Sequence, residues 1–593
     1  MADAGSDRVA DRFLSAEPIY LSDLDICGPP NNLSSVPLRG RWRLLDYETG
    51  RFKGKMLVAG EETAAPRIAY PLQRSGWYAI SFGFFSAYRG YVQSLVKLSD
   101  EDTYSTLTLP PAEAGGGERI NEVFWKVADL TGTSLEMKQL SWRVGPGDGP
   151  EASQCSNARI AYIKLVPLSD QEVGMIRIDR QRTDRRRLFA HNDGHAPHYS
   201  FRPTSAEEIR RHVEMYRDTD FSRIYWEAAR GDHTHYFSKI GTIPTYDGLG
   251  DFDRQGDRLQ GESWRSLREQ GIDPLRVVAD HAHEVGLEFH AAFRVAAFYY
   301  PPPLDHFNHG AYFYKQHPEL RGEGRDGRRT PRLSYAYPKM RSFAVSLLRE
   351  IAEGYPVDGV SIEYNRSPPL VEYEPPVVEG FKAEYGEDPR ALDEMDERWL
   401  SYRARVLTQF MIEVRRAMDE AAAQKGGGRI GISAIVFGDE QENLVNAMDL
   451  KAWVEAGVVD TLIPHSSSQG VSARSESWSE PGDLDYFLSL TRGTSCKLAP
   501  NILPRHTSPE AYRRRAAALY EAGVENLFFW DTDVQPRANP DDPRHRGSWD
   551  ALRRLGHRDE LGTWSRAGQP DLTPPTMEVL RLGEWDMSYR SPG

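Results

Sequence analysis

A carboxylate that closes an apolar run stands at the edge of a core, where it can exchange a proton with a bound molecule. Glu363 is such a residue, at the end of the run DGVSIEY over 358–364, with Tyr364, Asn365 and Arg366 behind it. Polar residues close seven further apolar runs in the same way: His191 and Asp193; Trp226 and Glu227; His290 and Arg294; Asp439 and Glu440; His465; Asn501 and Arg505; Trp530, Asp531 and Asp533. Carboxylates supply an acid, base or nucleophile, imidazoles and guanidinium groups hydrogen-bond a ligand, and tryptophans offer stacking faces. Any one of them has a structural explanation. Their convergence at a single mouth is harder to explain without a site.

The elements that would bring them together alternate regularly. Strands are predicted over 187–191, 222–227, 287–295, 358–364, 429–437, 460–465, 496–503 and 526–531, with helices at 273–285, 340–354, 399–424, 449–456, 483–490 and 508–522 among them and a last one from 549. Eight mostly continuous apolar strands, each followed by a helix, are what a closed parallel barrel requires. No Gly-rich phosphate fingerprint follows the first strand, which weighs against an open dinucleotide-binding sheet. The expected fold class is α/β, a (β/α)8 TIM barrel over 187–562 with its site at the carboxyl ends of the strands.

Residues 17–170 read as all-β, with short alternating stretches such as GWYAISFGFF (76–85) and ARIAYIKLVPL (158–168) between Gly, Pro and Asp clusters. A jelly-roll-like sandwich is expected there, its last strand similar to that of carbohydrate-binding-like modules. Trp42, Trp77, Tyr78, Tyr88 and Tyr91 would mainly fill its core. Residues 1–16 are expected to be disordered, 171–186 to form a charged linker, and 563–593 to pack back on the rest through a strand at 577–582.

The stretch Tyr355-Pro-Val-Asp-Gly-Val-Ser-Ile-Glu363-Tyr-Asn-Arg366 resembles the family-10-like glycosyl hydrolases, bacterial barrel proteins in which a Tyr-x-Val-Asp-Gly segment feeds a strand ending on an acid. The likeness extends to ADHAHEVGLEFH (279–290), to Pro338-Lys-Met-Arg341 and to WVEAGVVDTLIPH (453–465). The sequence departs from that pattern where Glu363 replaces the usual Asp and where His465 follows Pro464. The resemblance implies a glycoside hydrolase acting on a carbohydrate through two carboxyl groups. Glu363 is then one catalytic carboxylate, with Asp439 or Glu440 as its partner and Asp531 competing. His191, Asp193, Glu227, His290 and His465 would hydrogen-bond sugar hydroxyls, and Arg294 and Arg366 would orient Glu363 or hold an anion. Trp226 or Trp530 would form a stacking wall, and Tyr364, Asn365, Asn501 and Asp533 complete the expected substrate-binding set.

A divalent-metal site for hydrolysis or sugar isomerisation is the competing reading, from His191-Asn-Asp193-Gly-His195 and Asp232-His233-Thr-His235. Strand five ends Val436-Phe437-Gly438 without the histidine that metallohydrolase barrels place there, so no metal or other cofactor is expected. A catalytically silent sugar-binding barrel is the third. The net charge of -14 weighs against nucleic acid and anionic membranes, and the basic run RTDRRR (182–187) reads as solvated linker. Cys27, Cys155 and Cys496 lack metal or disulfide spacing and read as buried thiols. No signal-like start or long apolar run occurs, which reads as a cytoplasmic chain.

Overall fold

The computed structural model describes residues 16–86, 92–109, 118–143, 153–245, 255–296, 299–300, 303–304, 311–366, 368–465, 477–478, 482–502, 507–530, 548–567 and 575–583. Antiparallel sheets fill the region expected to be all-β. In the larger one, Ala158–Pro167 pairs with both Lys53–Ala59 and Trp77–Ser86, and the circuit between those two runs through Trp42–Thr49, Thr576–Leu582 and Arg119–Asp129. The expected tail strand is therefore an internal member of this sheet. A four-stranded sheet, ordered Ile68–Tyr70, Leu135–Gln139, Val92–Leu98 and Ser105–Leu109, shares with it a core that includes Leu57, Phe82, Phe84, Val96, Met137 and Leu165. Trp42 is buried, donating its indole N–H to the Pro66 carbonyl at 2.8 Å, and Trp77 lies under Arg177. Tyr88 and Tyr91 lie outside the described residues.

The segment expected to be a linker is instead mostly helix, Asp170–Gln181. Its Ser169 side chain accepts from the Glu172 N–H while Glu172 accepts from the Ser169 N–H, a reciprocal cap that outweighs the charged composition. Ile176 packs against a small cluster formed by Ala79, Val127 and Val166 of the larger sheet. The basic run that follows is not all solvated either. Arg185 is fully buried, 2.7 Å from Asp220 at the start of the barrel's second strand, and His557 links Asp220 (2.7 Å) to Asp179 of the helix (2.9 Å).

That clasp carries a pH dependence. Burial pulls the His557 imidazole down, but its hydrogen bonds to Asp179 and Asp220 outweigh this and raise it above its ordinary 6.5. Burial likewise raises Asp179, and His557, Arg554 and Arg185 more than reverse that and hold it well below 3.8. The histidine contribution is thus complete below 6.5 and fades as pH rises through the raised folded value, whereas the aspartate contribution is complete above 3.8 and is lost on acidification. His557→Asn should cost about 1–3 kcal/mol in chemical denaturation near about pH 5.5, with a smaller deficit near about pH 9. An equal deficit at both would contradict a charged clasp.

The barrel strands are Leu188–Asn192 (β1), Phe221–Arg230 (β2), Glu288–Arg294 (β3), Gly359–Glu363 (β4), Gly431–Phe437 (β5), Thr461–His465 (β6), Lys497–Leu498 (β7) and Leu527–Phe529 (β8). All are parallel and neighbour one another in chain order, with β1 also pairing β8. Backbone hydrogen bonds from Phe528 to Pro500 and from Ile502 to Phe528 join β8 to the segment after β7, so the curled sheet returns on itself. Strand β7 is much shorter than its apolar run suggests. Phe189, Tyr225, Ile435, Ile463, Ala499, Phe528 and Trp530 form the interior. The opposite strand faces carry residues such as Val360 and Ile362 into one large cluster with helix residues such as Leu347, Ile351, Phe410 and Val414. Burying each of these large side chains stabilises the fold by about 1.5–3 kcal/mol. No helix among the described residues is long and apolar enough to cross a membrane.

Candidate active site

Strand parity decides which end residues face the interior. Side chains alternate across a strand, so with Tyr225 inside the barrel, Glu227 is inside as well, and the stack on β4 runs Gly359, Ser361, Glu363. On β1 the interior residues are Phe189 and His191, followed by Asp193 just past the strand. On β3 they end in Arg294, paired in register with Glu363.

Arg294 joins three strand ends. Its Nη2 lies 2.6 Å from Glu227 Oε2 and 2.8 Å from Asp193 Oδ1, and its Nε lies 3.5 Å from Glu363 Oε2. Glu363 Oε1 meets His191 Nε2 at 2.8 Å, and both side chains are fully buried. The His191 ring stacks on Trp530 at 3.8 Å, His465 meets the same indole edge-on, and Arg366 lies over it at 5.4 Å. Two guanidinium groups, three carboxylates and two imidazoles around one indole therefore occupy the mouth.

Two local devices bring further histidines to Glu227. Beyond the barrel β2 runs into a tight hairpin through Gly231 (φ 54°) and Asp232, which pairs Arg230 with His233 and Ala229 with Thr234. The hairpin returns His235 alongside β2, where its Nδ1 stands 3.1 Å from the Glu227 carbonyl oxygen and 3.5 Å from Oε1. Asp232 fixes the turn by accepting from the Tyr299 hydroxyl (2.9 Å) and the Tyr314 N–H (3.1 Å). After β1, Gly194 lies so close to β2 that a Cβ would collide with the Glu227 carbonyl oxygen and the Trp226 indole. That approach sets His195 Nδ1 3.1 Å from Glu227 Oε1.

Charge separates the carboxylates. Burial pushes Glu227 up, but Arg294, His195 and His235 reverse this and hold it well below the usual carboxylate range. Asp193 follows the same pattern, its desolvation and its repulsion by Glu227 being outweighed by Arg294, with His195 and His191 adding to it. Both are ionised near neutrality. His235 is driven well below its ordinary value by burial, against the pull of Glu227, and is neutral.

Several expected site residues lie elsewhere. His290 sits near the amino end of β3, in register with Gly359, four residues and about 13 Å before Arg294. There burial, Arg223 and Lys497 keep it neutral on the barrel floor. Asp439 is exposed and caps the helix Glu440–Val445 by accepting from the Glu442 N–H at 2.7 Å, and Glu440 is exposed in that helix's first turn. Both are thus turned to solvent in the loop after β5. Trp226 and Tyr364 have the outward parity. Trp226 is in the large outer cluster, and Tyr364 donates to Met411 Sδ and packs on Trp453. Neither can wall the mouth.

Asn501 accepts through its amide oxygen from the Trp530 backbone N–H at 3.2 Å, a positioning contact for the indole. Asn365 is buried next to Glu363 in sequence, and its amide has no hydrogen-bond partner among the described residues. Asp531, Asp533 and Arg505 lie outside the described residues. From the sequence His195 and His235 enter only a metal reading, and the signals that bring them to Glu227 are Gly194 and the Gly231-Asp232 turn. The three cysteines are free and buried, and burial pushes the Cys27 and Cys496 thiols up to about 12.

The resemblance read around Glu363 is borne out: the model of the glycosyl hydrolase-like 10 family matches residues 251–480, the stretch holding β3 to β6. Among solved structures the chain is similar to the PgaB (BpsB) glycoside hydrolase domain from Bordetella bronchiseptica, at 13% identity over 62% of this chain and 98% of that one, with a TM-score of 0.41. It is also similar to the catalytic domain of β-amylase from Paenibacillus polymyxa, at 11% identity over 63% and 98%, TM-score 0.40. A third, α-L-fucosidase isoenzyme 2 from Paenibacillus thiaminolyticus, shares 13% identity over 64% of this chain and 50% of that one, TM-score 0.39. No curated protein matches the sequence.

Proposed function

We propose that this chain is a glycoside hydrolase that cleaves O-glycosidic bonds of a carbohydrate at the mouth formed by β1 to β4, with Glu363 as a catalytic carboxylate. The observation that carries the reading is Arg294, which gathers Asp193, Glu227 and Glu363 from three strand ends. The match to a glycosyl hydrolase-like family over the segment that contains Glu363 supports it.

Glycosidic cleavage needs one group to protonate the leaving oxygen and another to act as nucleophile or base at the anomeric carbon. Asp193 and Glu227 are held ionised and are poor proton donors. The acid role therefore falls to Glu363, with His191 orienting its carboxyl. Asp193, at the end of β1 with its side chain 18% exposed, is placed as nucleophile or base, whereas Glu227 is engaged by Arg294 and two imidazoles. Glu227 acts through Arg294 and the two histidines as a positioning residue. Trp530 is buried under the His191 ring with Arg366 over it and His465 at its edge, so it serves to hold His191 and Arg366 in place at the mouth. We read residues 17–170 as a jelly-roll-like accessory sandwich and 187–562 as the catalytic barrel.

The direct test is release of reducing sugar from a panel of plant, bacterial and storage polysaccharides, their oligosaccharides and aryl glycosides, using the full chain. At least one substrate should be turned over, and Asp193→Asn should abolish that turnover. An inactive wild-type chain that nevertheless binds oligosaccharide would favour a silent sugar-binding barrel.

A further inference from the structure

We propose that His195, Glu227 and His235 form a binding site for one divalent first-row transition ion, of which Zn2+ is the simplest probe. The site goes beyond the glycosidase reading, which requires no metal. One nitrogen of each imidazole and one Glu227 oxygen lie within 4.8 Å of one another. Ligands set tetrahedrally about 2.0–2.2 Å from one ion stand about 3.3–3.6 Å apart, so binding draws the three side chains together by up to about 1.5 Å.

The hydrogen-bonding pattern favours a ligand over a closed cluster. Glu227 Oε2 is taken by Arg294 at 2.6 Å, which leaves Oε1 toward the imidazoles as a monodentate donor. His235 Nδ1 stands 3.1 Å from the Glu227 carbonyl oxygen and 3.5 Å from its Oε1, and with the Nδ1 proton on that carbonyl Nε2 is the ring nitrogen left for an ion. Nε2 belongs to a side chain 1% exposed and has no hydrogen-bond partner among the described residues. A cation would satisfy that buried nitrogen. Donation of the other ring N–H to a backbone carbonyl is also the usual way a metal-binding imidazole is oriented.

The ligands stand on built supports, the Gly231-Asp232 hairpin for His235 and the close approach at Gly194 for His195. His195 is 17% exposed, so an ion has access from solvent and keeps positions for water. Asp193 offsets the Arg294 charge beside the site. Two imidazoles and a carboxylate suit Zn2+, Ni2+, Co2+ or Mn2+, while Mg2+ and Ca2+ prefer oxygen donors throughout.

The experiment strips the full chain with EDTA, desalts it, and titrates it with ZnCl2 by calorimetry and with CoCl2 by visible absorption, alongside metal analysis of the untreated protein. One saturable equivalent per chain is expected, and His195→Ala and His235→Ala should each weaken it by at least about 100-fold. A stripped wild-type chain with no saturable site, or both variants binding like wild type, would overturn the proposal. His195 is the partly exposed ligand, so a circular dichroism spectrum unchanged in that variant makes its loss of binding decisive even if the buried His235→Ala chain fails to fold. Sugar release is measured on the same stripped sample. Activity without a Zn2+ site defeats only this inference, and a Zn2+ site without activity on any substrate defeats only the glycosidase reading.

Discussion

Glu363→Gln should lower turnover of a natural glycoside by about 10²–10⁴-fold, the usual worth of a positioned acid. The amide keeps the side chain's volume and can still accept from His191 Nε2, the 2.8 Å contact, so the fold should hold to within about 1 kcal/mol. The loss should shrink on aryl glycosides with strongly acidic phenol leaving groups, because those depart without protonation. Asp193→Asn should be equally damaging on both substrate types. A Glu363→Gln chain that turns over natural substrate at the wild-type rate would remove Glu363 from the chemistry. A loss that is identical for both substrate types would move the acid role elsewhere.

Arg294→Met should be the most destabilising single change in the mouth. It preserves much of the stem but removes the cation that offsets Glu227 and Asp193, leaving a fully buried carboxylate without its strongest partner. Removing one member of a buried pair costs about 3–5 kcal/mol. The midpoint of urea unfolding should fall accordingly, and turnover should vanish because Asp193 and Glu363 lose their common anchor. Recovery of stability in Arg294→Met combined with Glu227→Gln would identify the stranded charge as the cause. A single variant as stable as wild type would mean that Arg294 does not hold these carboxylates.

The barrel was legible because its strands are apolar runs and several of its helices carry side-chain caps, although β7 and β8 are shorter than their runs. Depth along a strand was harder to read. The segment Leu287-Glu-Phe-His290 looks like the close of a run, yet Ala-Ala-Phe-Arg294 continues it, and those four residues carry the chain from the barrel floor to its mouth. Parity was available and decisive: Glu227 and Glu363 inside require Trp226 and Tyr364 outside. Asp439-Glu-Gln-Glu442 carries an ordinary helix-start pattern, and its acids look catalytic only when that pattern is passed over. Glu227 was visible as a polar strand end, but its importance depends on Arg294, His195 and His235, which arrive from three other segments and leave no local signature. The helix at Asp170–Gln181 was hidden by its charge although its capping residues were in plain sight.

The strand Thr576–Leu582 lies between Trp42–Thr49 and Arg119–Asp129, hydrogen-bonded to both. During synthesis the first sheet to leave the ribosome must therefore wait, with a gap in its ring, until more than four hundred further residues have been made. In that interval both flanking strands present unpaired backbone groups, the kind of edge on which another chain can add a strand. Supplying residues 575–583 as a separate peptide to a nascent or truncated chain would fill the same gap, which makes this seam a natural point for splitting the protein into two complementing pieces.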